Sequence, residues 1–325
     1  MIPLLIGKVG KLEINPCIYN ASGAWCMSQS ELEALGHSSA GAILIKSTTA
    51  MPRAGNQKPR YFQDEWGSLN SMGLPNLGID TYSKMISGLK KFGKPVIGSV
   101  AGMRPEDFVP ISQKYLDAGV DSLEVNLSCP NLIGKPQIAF DFVMSRKILE
   151  GVKKISKPLN VPVGVKLPPY PDPVFSEAMT DVIVGTGVDY IVCINSVPHA
   201  SIIDIETESF VIKNKFGGLG GRYIKPVVIG QIARFRELLD GNNNYKIPII
   251  GCGGIENGQD IIEHFLAGAS AVQIGTQLMK EGPVVFSRLI REVNAELKKK
   301  KIKQIGILTG RAKPREMQID DMQDY

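Results

Sequence analysis

Asp117-Ala118-Gly119-Val120-Asp121 runs directly into Ser122-Leu123-Glu124-Val125-Asn126-Leu127, and this junction decides the fold. A helix-like segment, Pro105 to Ala118, stops at a glycine, and a buried-type strand begins within three residues. The same punctuation returns at Gly185-Thr186-Gly187-Val188-Asp189 ahead of Tyr190 to Asn195, and again at Ala267-Gly268-Ala269-Ser270-Ala271. Short β-branched runs alternating with helix-length stretches are the sequence form of a parallel sheet with crossover helices.

Outward from these junctions the pattern fills the chain. After a hairpin (Leu4 to Ile6, Lys11 to Ile14), strands are expected at Cys17 to Asn20, Ala42 to Lys46, Pro95 to Val100, Ser122 to Leu127, Val163 to Leu167, Tyr190 to Asn195, Pro248 to Gly251 and Ala271 to Ile274. Helix-like segments lie at Ser28 to Leu35, Thr81 to Lys91, Pro105 to Ala118, Phe140 to Ser156, Pro173 to Gly185, Lys225 to Leu239, Gly258 to Ala267 and Pro283 to Lys300. Eight such units predict a single α/β domain, a (β/α)8 barrel of the TIM type. An open doubly wound sheet would place a G-x-G-x-x-G turn after the first strand, and none is there. The barrel is expected to occupy residues 1–312, with residues 313–325 as a surface or disordered tail rich in Met, Gln and Asp. Two long insertions with little predicted structure interrupt it: Thr48 to Asp80 after the second strand and Pro198 to Tyr223 after the sixth.

Composition narrows the class. The 325 residues are 43% hydrophobic and 21% charged, enough for a sizeable core and against disorder. No run approaches the ~18 apolar residues of a membrane span, and the opening MIPLLIGKVGKLEI lacks the basic lead of a secretory signal, so the expected location is cytoplasmic. The net charge of +5 is spread along the chain, which speaks against nucleic acid and suits an anionic substrate. The one basic run, Lys298 to Lys301 with Lys303, reads as a charged helix end. Five dispersed cysteines without a C-x-x-C pair, and three isolated histidines, predict free thiols in a reducing compartment and no metal site.

A barrel keeps its active residues at the C-terminal ends of its strands. Here those ends read Ala21-Ser22-Gly23, Lys46-Ser47, Ser99, Asn126, Lys166, Asn195-Ser196, Gly253-Gly254 and Gly275-Thr276. A buried lysine needs a partner to offset its desolvation, and for Lys46 and Lys166 the expected partner is a ligand. Gly217 to Gly221, Cys252-Gly253-Gly254 and Gly275-Thr276 put bare backbone N–H groups near strands six to eight, a corner suited to phosphate. That phosphate could belong to a substrate, a pyridoxal cofactor or a flavin mononucleotide. The lysines likewise fit either Schiff-base chemistry or the pyrimidine end of a flavin.

The segment Asn126-Leu127-Ser128-Cys129-Pro130-Asn131 is the most specific. It holds a thiol on the loop after a strand, with Gly134 and Pro136 giving that loop a lid-like shape. An unperturbed thiol pKa of about 8.5 is near enough to cellular pH for proton abstraction from carbon if the thiolate is stabilised. N-L-S-C-P-N, the Lys46-Ser47 pair, N-S-M-G-L-P-N at Asn70 to Asn76, V-K-L-P-P-Y at Val165 to Tyr170, I-N-S at Ile194 to Ser196, G-G-L-G-G and C-G-G together resemble dihydroorotate dehydrogenases, in order from about residue 3 to Arg311. The cysteine at 129 and Pro59-Arg60-Tyr61-Phe62 resemble the soluble class 1A, which uses fumarate, rather than the membrane-associated or class 1B enzymes.

The resemblance implies oxidation of dihydroorotate to orotate by an FMN enzyme, with reoxidation by fumarate to succinate and a homodimeric assembly. By motif, Cys129 takes the proton from ring carbon five, Ser128 aids that transfer, and Lys46 lies between substrate and flavin. Asn70, Met72, Gly73, Leu74, Asn126, Asn131, Asn195 and Ser196 would surround the substrate. Ala21, Ser22, Gly23, Lys46, Ser47, Asn126, Lys166 and Ile194 would flank the flavin ring and ribityl chain, and Gly221, Cys252, Gly253, Gly254, Gly275 and Thr276 its phosphate end. Pro198-His199-Ala200 departs from the family pattern beside the expected substrate wall, and the tail after Lys313 is longer than usual. Alternatives at this level are a dihydropyrimidine dehydrogenase-like flavoenzyme, a class 1B-type subunit using NAD through a partner, a Schiff-base lyase and a non-enzymatic nucleotide-binding barrel.

Overall fold

A computed structural model describes residues 4–128, 137–241 and 246–314. Its centre is one eight-stranded parallel sheet. In chain order the strands are Ile18–Asn20, Ile43–Leu44, Val96–Val100, Ser122–Asn126, Val163–Leu167, Tyr190–Cys193, Ile249–Cys252 and Ala271–Ile274. From the second to the eighth, each pairs with its sequence neighbours, and the eighth returns to the first through Val272–Ile18 to Ile274–Asn20. The strands are buried along their length, as strands covered on both faces must be.

The seam between the first two strands is closed by a side chain. Asn20 Nδ2 donates to the Leu44 carbonyl at 2.7 Å, and the Leu44 N–H donates to Asn20 Oδ1 at 2.9 Å. The carboxamide thus stands in for a peptide group where the second strand is only two residues long. One backbone bond, Gly41 N–H to Ile18 O at 2.9 Å, completes the contact.

Helices cover the outside, running Gln29–His37, Ile79–Lys90, Phe108–Asp117, Phe142–Ser156, Pro173–Thr186, Lys225–Gly241, Gly258–Ala267 and Val285–Lys299. Local signals set their ends. Ser28 and Glu31 form a capping box on the first, Asn257 and Asp260 another on the seventh, and Gly187 adopts a left-handed φ of 66° to stop the fifth. The lysine run after residue 297 is, as expected, the end of the last helix. At the N-terminal rim of the barrel, the hairpin Gly7–Val9 with Leu12–Ile14 buries Val9 and Ile14. It lies a few residues later than its expected first strand, because Cys17 N–H takes the Leu5 carbonyl.

The two insertions correct the sequence reading. Far from lacking structure, they build one four-stranded antiparallel sheet in the order Val197–Ala200, Gly217–Gly221, Gly67–Asn70, Tyr61–Gln63. Gly217 to Gly221, expected as a phosphate loop, is therefore mostly a central strand. Its glycines reflect close packing: a Cβ on Gly67 would lie 2.2 Å from the Gly220 carbonyl oxygen, and one on Gly221 2.5 Å from Gly67 Cα. This sheet roofs the C-terminal mouth of the barrel.

Replacing Asn20 by Leu keeps the volume but orphans the Leu44 N–H and C=O. The expected cost is about 2–4 kcal/mol, read as a lowered denaturant midpoint with unchanged slope.

Candidate functional site

Between the barrel mouth and the roof lies a cavity of about 330 Å³. The strand ends supply Ala21, Ser22, Gly23, Lys46, Ser47, Asn126, Lys166, Ile194, Asn195 and Ser196 on one side, and Cys252, Gly253, Gly254, Gly275 and Thr276 on the other. The roof contributes Asn70, Met72, Leu74 and Gly221. The strands end in register, which is why residues distant in sequence converge: Ile194 N–H bonds to Cys252 O at 3.0 Å, and Asn195 N–H to Leu167 O at 2.8 Å.

The polar groups on this wall are held before any ligand arrives. Ser47 Oγ lies 3.1 Å from Ser22 Oγ and 2.9 Å from Ser99 Oγ, and Asn126 Nδ2 donates to Ser47 Oγ at 3.1 Å. Asn126 Oδ1 accepts from the Ser128 N–H at 3.1 Å. Asn195 Nδ2 donates to the Ser128 carbonyl at 2.8 Å, while its Oδ1 accepts from Ser196 N–H. Asn70 Nδ2 donates to Gly218 O at 3.1 Å across the roof. Each amide orientation is thus fixed by its neighbours, which preorganises the wall.

The two lysines differ. Lys46 is 8% exposed and lines the cavity, and its ammonium makes no hydrogen bond or salt bridge to any described residue. Lys166, 4% exposed, was expected to await a ligand, yet it already donates to Gln273 Oε1 at 3.2 Å and to Cys252 Sγ at 3.4 Å. Burial opposes its charge, but Cys252 and Glu124 more than offset this and hold the lysine above its ordinary range.

At the opposite end, Gly221, Gly253 and Gly254 have φ of 75°, 122° and 75°, conformations that bare the backbone and that side-chain-bearing residues rarely adopt. A Cβ on Gly254 would meet Lys225 Cβ at 2.4 Å. Thr276 Oγ1 is tied to Ser68 Oγ at 2.8 Å. Behind this corner the buried His264 faces two carbonyls, Asp260 O at 2.7 Å from Nδ1 and Gly253 O at 3.0 Å from Nε2. Lys225 is paired with Asp260 and Glu263.

Not every expected residue reaches the cavity wall. Ser128 lies behind it, its hydroxyl between Asn126 Oδ1 and Lys166 O. Gly73 abuts Asn56 instead, with a φ of 71°. Cys129 and Asn131 lie outside the described residues. His199, in the divergent Pro198-His199-Ala200 stretch, sits on an edge strand of the roof and does not line the cavity. Sequence reasoning missed Tyr61, Ser68, Ile224, Gln273 and Met279, which do line it. Only Gln273 carried a signal, a polar residue inside the apolar run Ala271–Ile274.

A family model for dihydroorotate dehydrogenase matches residues 5–297. The chain belongs to the dihydroorotate dehydrogenase family. Among relatives, it is 45% identical over 287 residues to the dihydroorotate dehydrogenase (fumarate) of Lachancea kluyveri, covering 86% of this chain and 89% of that one. It is 43% identical over 300 residues to dihydroorotate dehydrogenase A (fumarate) of Lactococcus lactis subsp. lactis, covering 90% and 94%. In fold, it resembles the Eimeria tenella dihydroorotate dehydrogenase crystallised with ferulenol, with a TM-score of 0.80 at 21% identity over 94% of this chain and 88% of that one. No helix among the described residues of this family member is long and apolar enough to cross a membrane.

His264 gives the family site a pH signature. Burial holds its pKa below the ordinary value, against the pull of the two carbonyls, so the folded chain binds fewer protons here than the unfolded one. Stability contributed by the neutral ring is therefore present above about pH 6.5 and lost as pH falls below it. His264→Gln is expected to flatten the fall in denaturant midpoint between pH 7 and pH 5.

Proposed function

We propose that this chain oxidises dihydroorotate to orotate using FMN, with fumarate as the terminal acceptor. The observation that carries the reading is the cavity: a buried ammonium unpaired among the described residues and prearranged amides at one end, and bare glycine backbone at the other, in a chain whose fumarate-named relatives align over nearly their whole length.

The residues present fit the cofactor. The left-handed Gly253 and Gly254 leave a cradle that side chains would fill, with Gly221, Gly275 and Thr276 beside it, and these would hold the phosphate through backbone N–H groups. Ala21, Ser22, Gly23, Ser47, Asn126 and Ile194 would flank the ring and ribityl chain, with Lys166 at the pyrimidine edge. There its fixed positive charge favours added electron density. FMN would supply the acceptor for the hydride from ring carbon six and pass the electron pair on to fumarate.

The chain's own residues do the rest. Asn70, Asn195 and Ser196 offer donors and acceptors to a planar, doubly carbonylated ring, and Lys46 offers the cation that a carboxylate-bearing substrate requires. Cys129 is the proposed base at carbon five. Ser128, whose hydroxyl sits in the network of Asn126 and Lys166, is the proposed aid to that proton transfer. Dihydroorotate and fumarate both present carboxylates to one cavity, which accounts for alternating use of a single site and predicts ping-pong kinetics. A homodimer in the cytoplasm is part of the same reading.

The test is optical. Purified protein should be yellow and should bleach with dihydroorotate in the absence of oxygen. Its colour should return faster with fumarate than with NAD or a quinone; recovery only with NAD or quinone would overturn the acceptor assignment. Cys129→Ala should retain FMN yet lose about 10²- to 10⁴-fold in the rate of bleaching.

A further inference from the structure

Below the cavity floor, the barrel interior contains a carboxyl group that the reaction itself does not use. Glu124 lies in the middle of the fourth barrel strand, fully buried, between Ser99 and Gly164 on the neighbouring strands. Its Oε2 accepts from Gln273 Nε2 at 2.5 Å, and its Oε1 has no hydrogen-bond partner among the described residues. The Gln273 amide is held at both ends. Its nitrogen also lies 3.3 Å from the Tyr19 hydroxyl, and its oxygen accepts from Lys166 Nζ at 3.2 Å. A single carboxamide therefore bridges a buried carboxyl and a buried ammonium, with its acceptor turned to the cation and its donor to the acid. Among the described residues, the other ionisable groups acting on this pair are Cys252, Cys26, Tyr19 and Tyr190.

We propose that Glu124 is the ionised counter-charge of Lys166, coupled to it through Gln273, and that this pair sets the reduction potential of the flavin at the cavity floor. The proposal rests on the reading of the site as an FMN site with Lys166 at the ring. Two structural facts favour an ion pair. Lys166 is the cation nearest to Glu124 along the hydrogen-bonded chain, and the bridging amide is oriented as opposite charges demand. Burial raises the Glu124 carboxyl above its ordinary range, and Lys166, with the Gln273 hydrogen bond, opposes that rise without cancelling it. An isolated buried lysine would present its full positive field to the ring. With Glu124 beneath it, part of that field is cancelled, so the preference for the electron-rich reduced flavin is restrained.

The experiment is the midpoint potential of bound FMN in wild type and Glu124→Gln, measured by dye equilibration under anaerobic conditions. The substitution keeps shape and removes charge. It should increase the relative affinity for reduced over oxidised flavin roughly tenfold, which for a two-electron couple is a rise of about 30 mV. An unchanged or lowered potential in a variant that binds FMN overturns the counter-charge. Wild-type protein that takes up no FMN overturns the site reading, and this inference with it. Should the variant fail to fold, the reduction-induced infrared difference spectrum of the wild-type holoprotein with isotope-labelled glutamate decides. A shifted ionised-carboxylate band supports the pair, and a protonated-carboxyl band or no glutamate band overturns it.

Discussion

An ammonium group inside an apolar barrel is the constraint around which this molecule is arranged. Desolvating one charge costs several kcal/mol unless compensated, and Lys166 is compensated by residues from three other strands: Cys252, Gln273 and, through the latter, Glu124. Those strands must close in register for the contacts to exist, so burial of the lysine and closure of the barrel depend on each other. The serine and asparagine chain above it, from Ser22 through Ser47 to Asn126 and Ser128, continues the same logic to the cavity rim. Lys46 contrasts with it, buried to the same degree but left unpaired by the described residues. Of the two cations, one is part of the scaffold and the other faces whatever enters.

The roof imposes the second constraint. Because Gly67–Asn70 and Gly217–Gly221 pair as strands, Asn70 is carried over the mouth on a rigid element, and Gly221 is fixed above the glycine cradle by the same ladder. Site residues on paired strands are located more precisely than on free loops. The insertions that looked like interruptions of the barrel are what convert its open end into an enclosed space.

Much of this was legible in the residues. The helix-stopping glycines at 119, 187 and 268 do adopt positive φ, and the strands after them begin where expected. The polar strand ends that singled out Lys46, Asn126, Lys166 and Asn195 converge on the cavity. What could not be read has physical causes. Pairing of the two insertions is a contact between segments about 150 positions apart, and five residues dominated by glycine carry no β-propensity to announce a strand. The seam made by Asn20 was hidden because a side chain imitating a peptide leaves no periodic trace. Protein partners for Lys166 were missed because Glu124 and Gln273 interrupt apolar strand patterns singly, where one polar residue resembles noise.

The late position of Gly217–Gly221 has a consequence for biogenesis. A chain emerging from the ribosome carries the first six barrel strands and the Gly67–Asn70 ribbon before the ribbon's second partner, Gly217–Gly221, exists, and the last two strands of the barrel come later still. Until then the ribbon's edge is an open template for intermolecular pairing. Cofactor capture should therefore be a post-translational event, and any truncation ahead of residue 221 should yield aggregates rather than a smaller working enzyme.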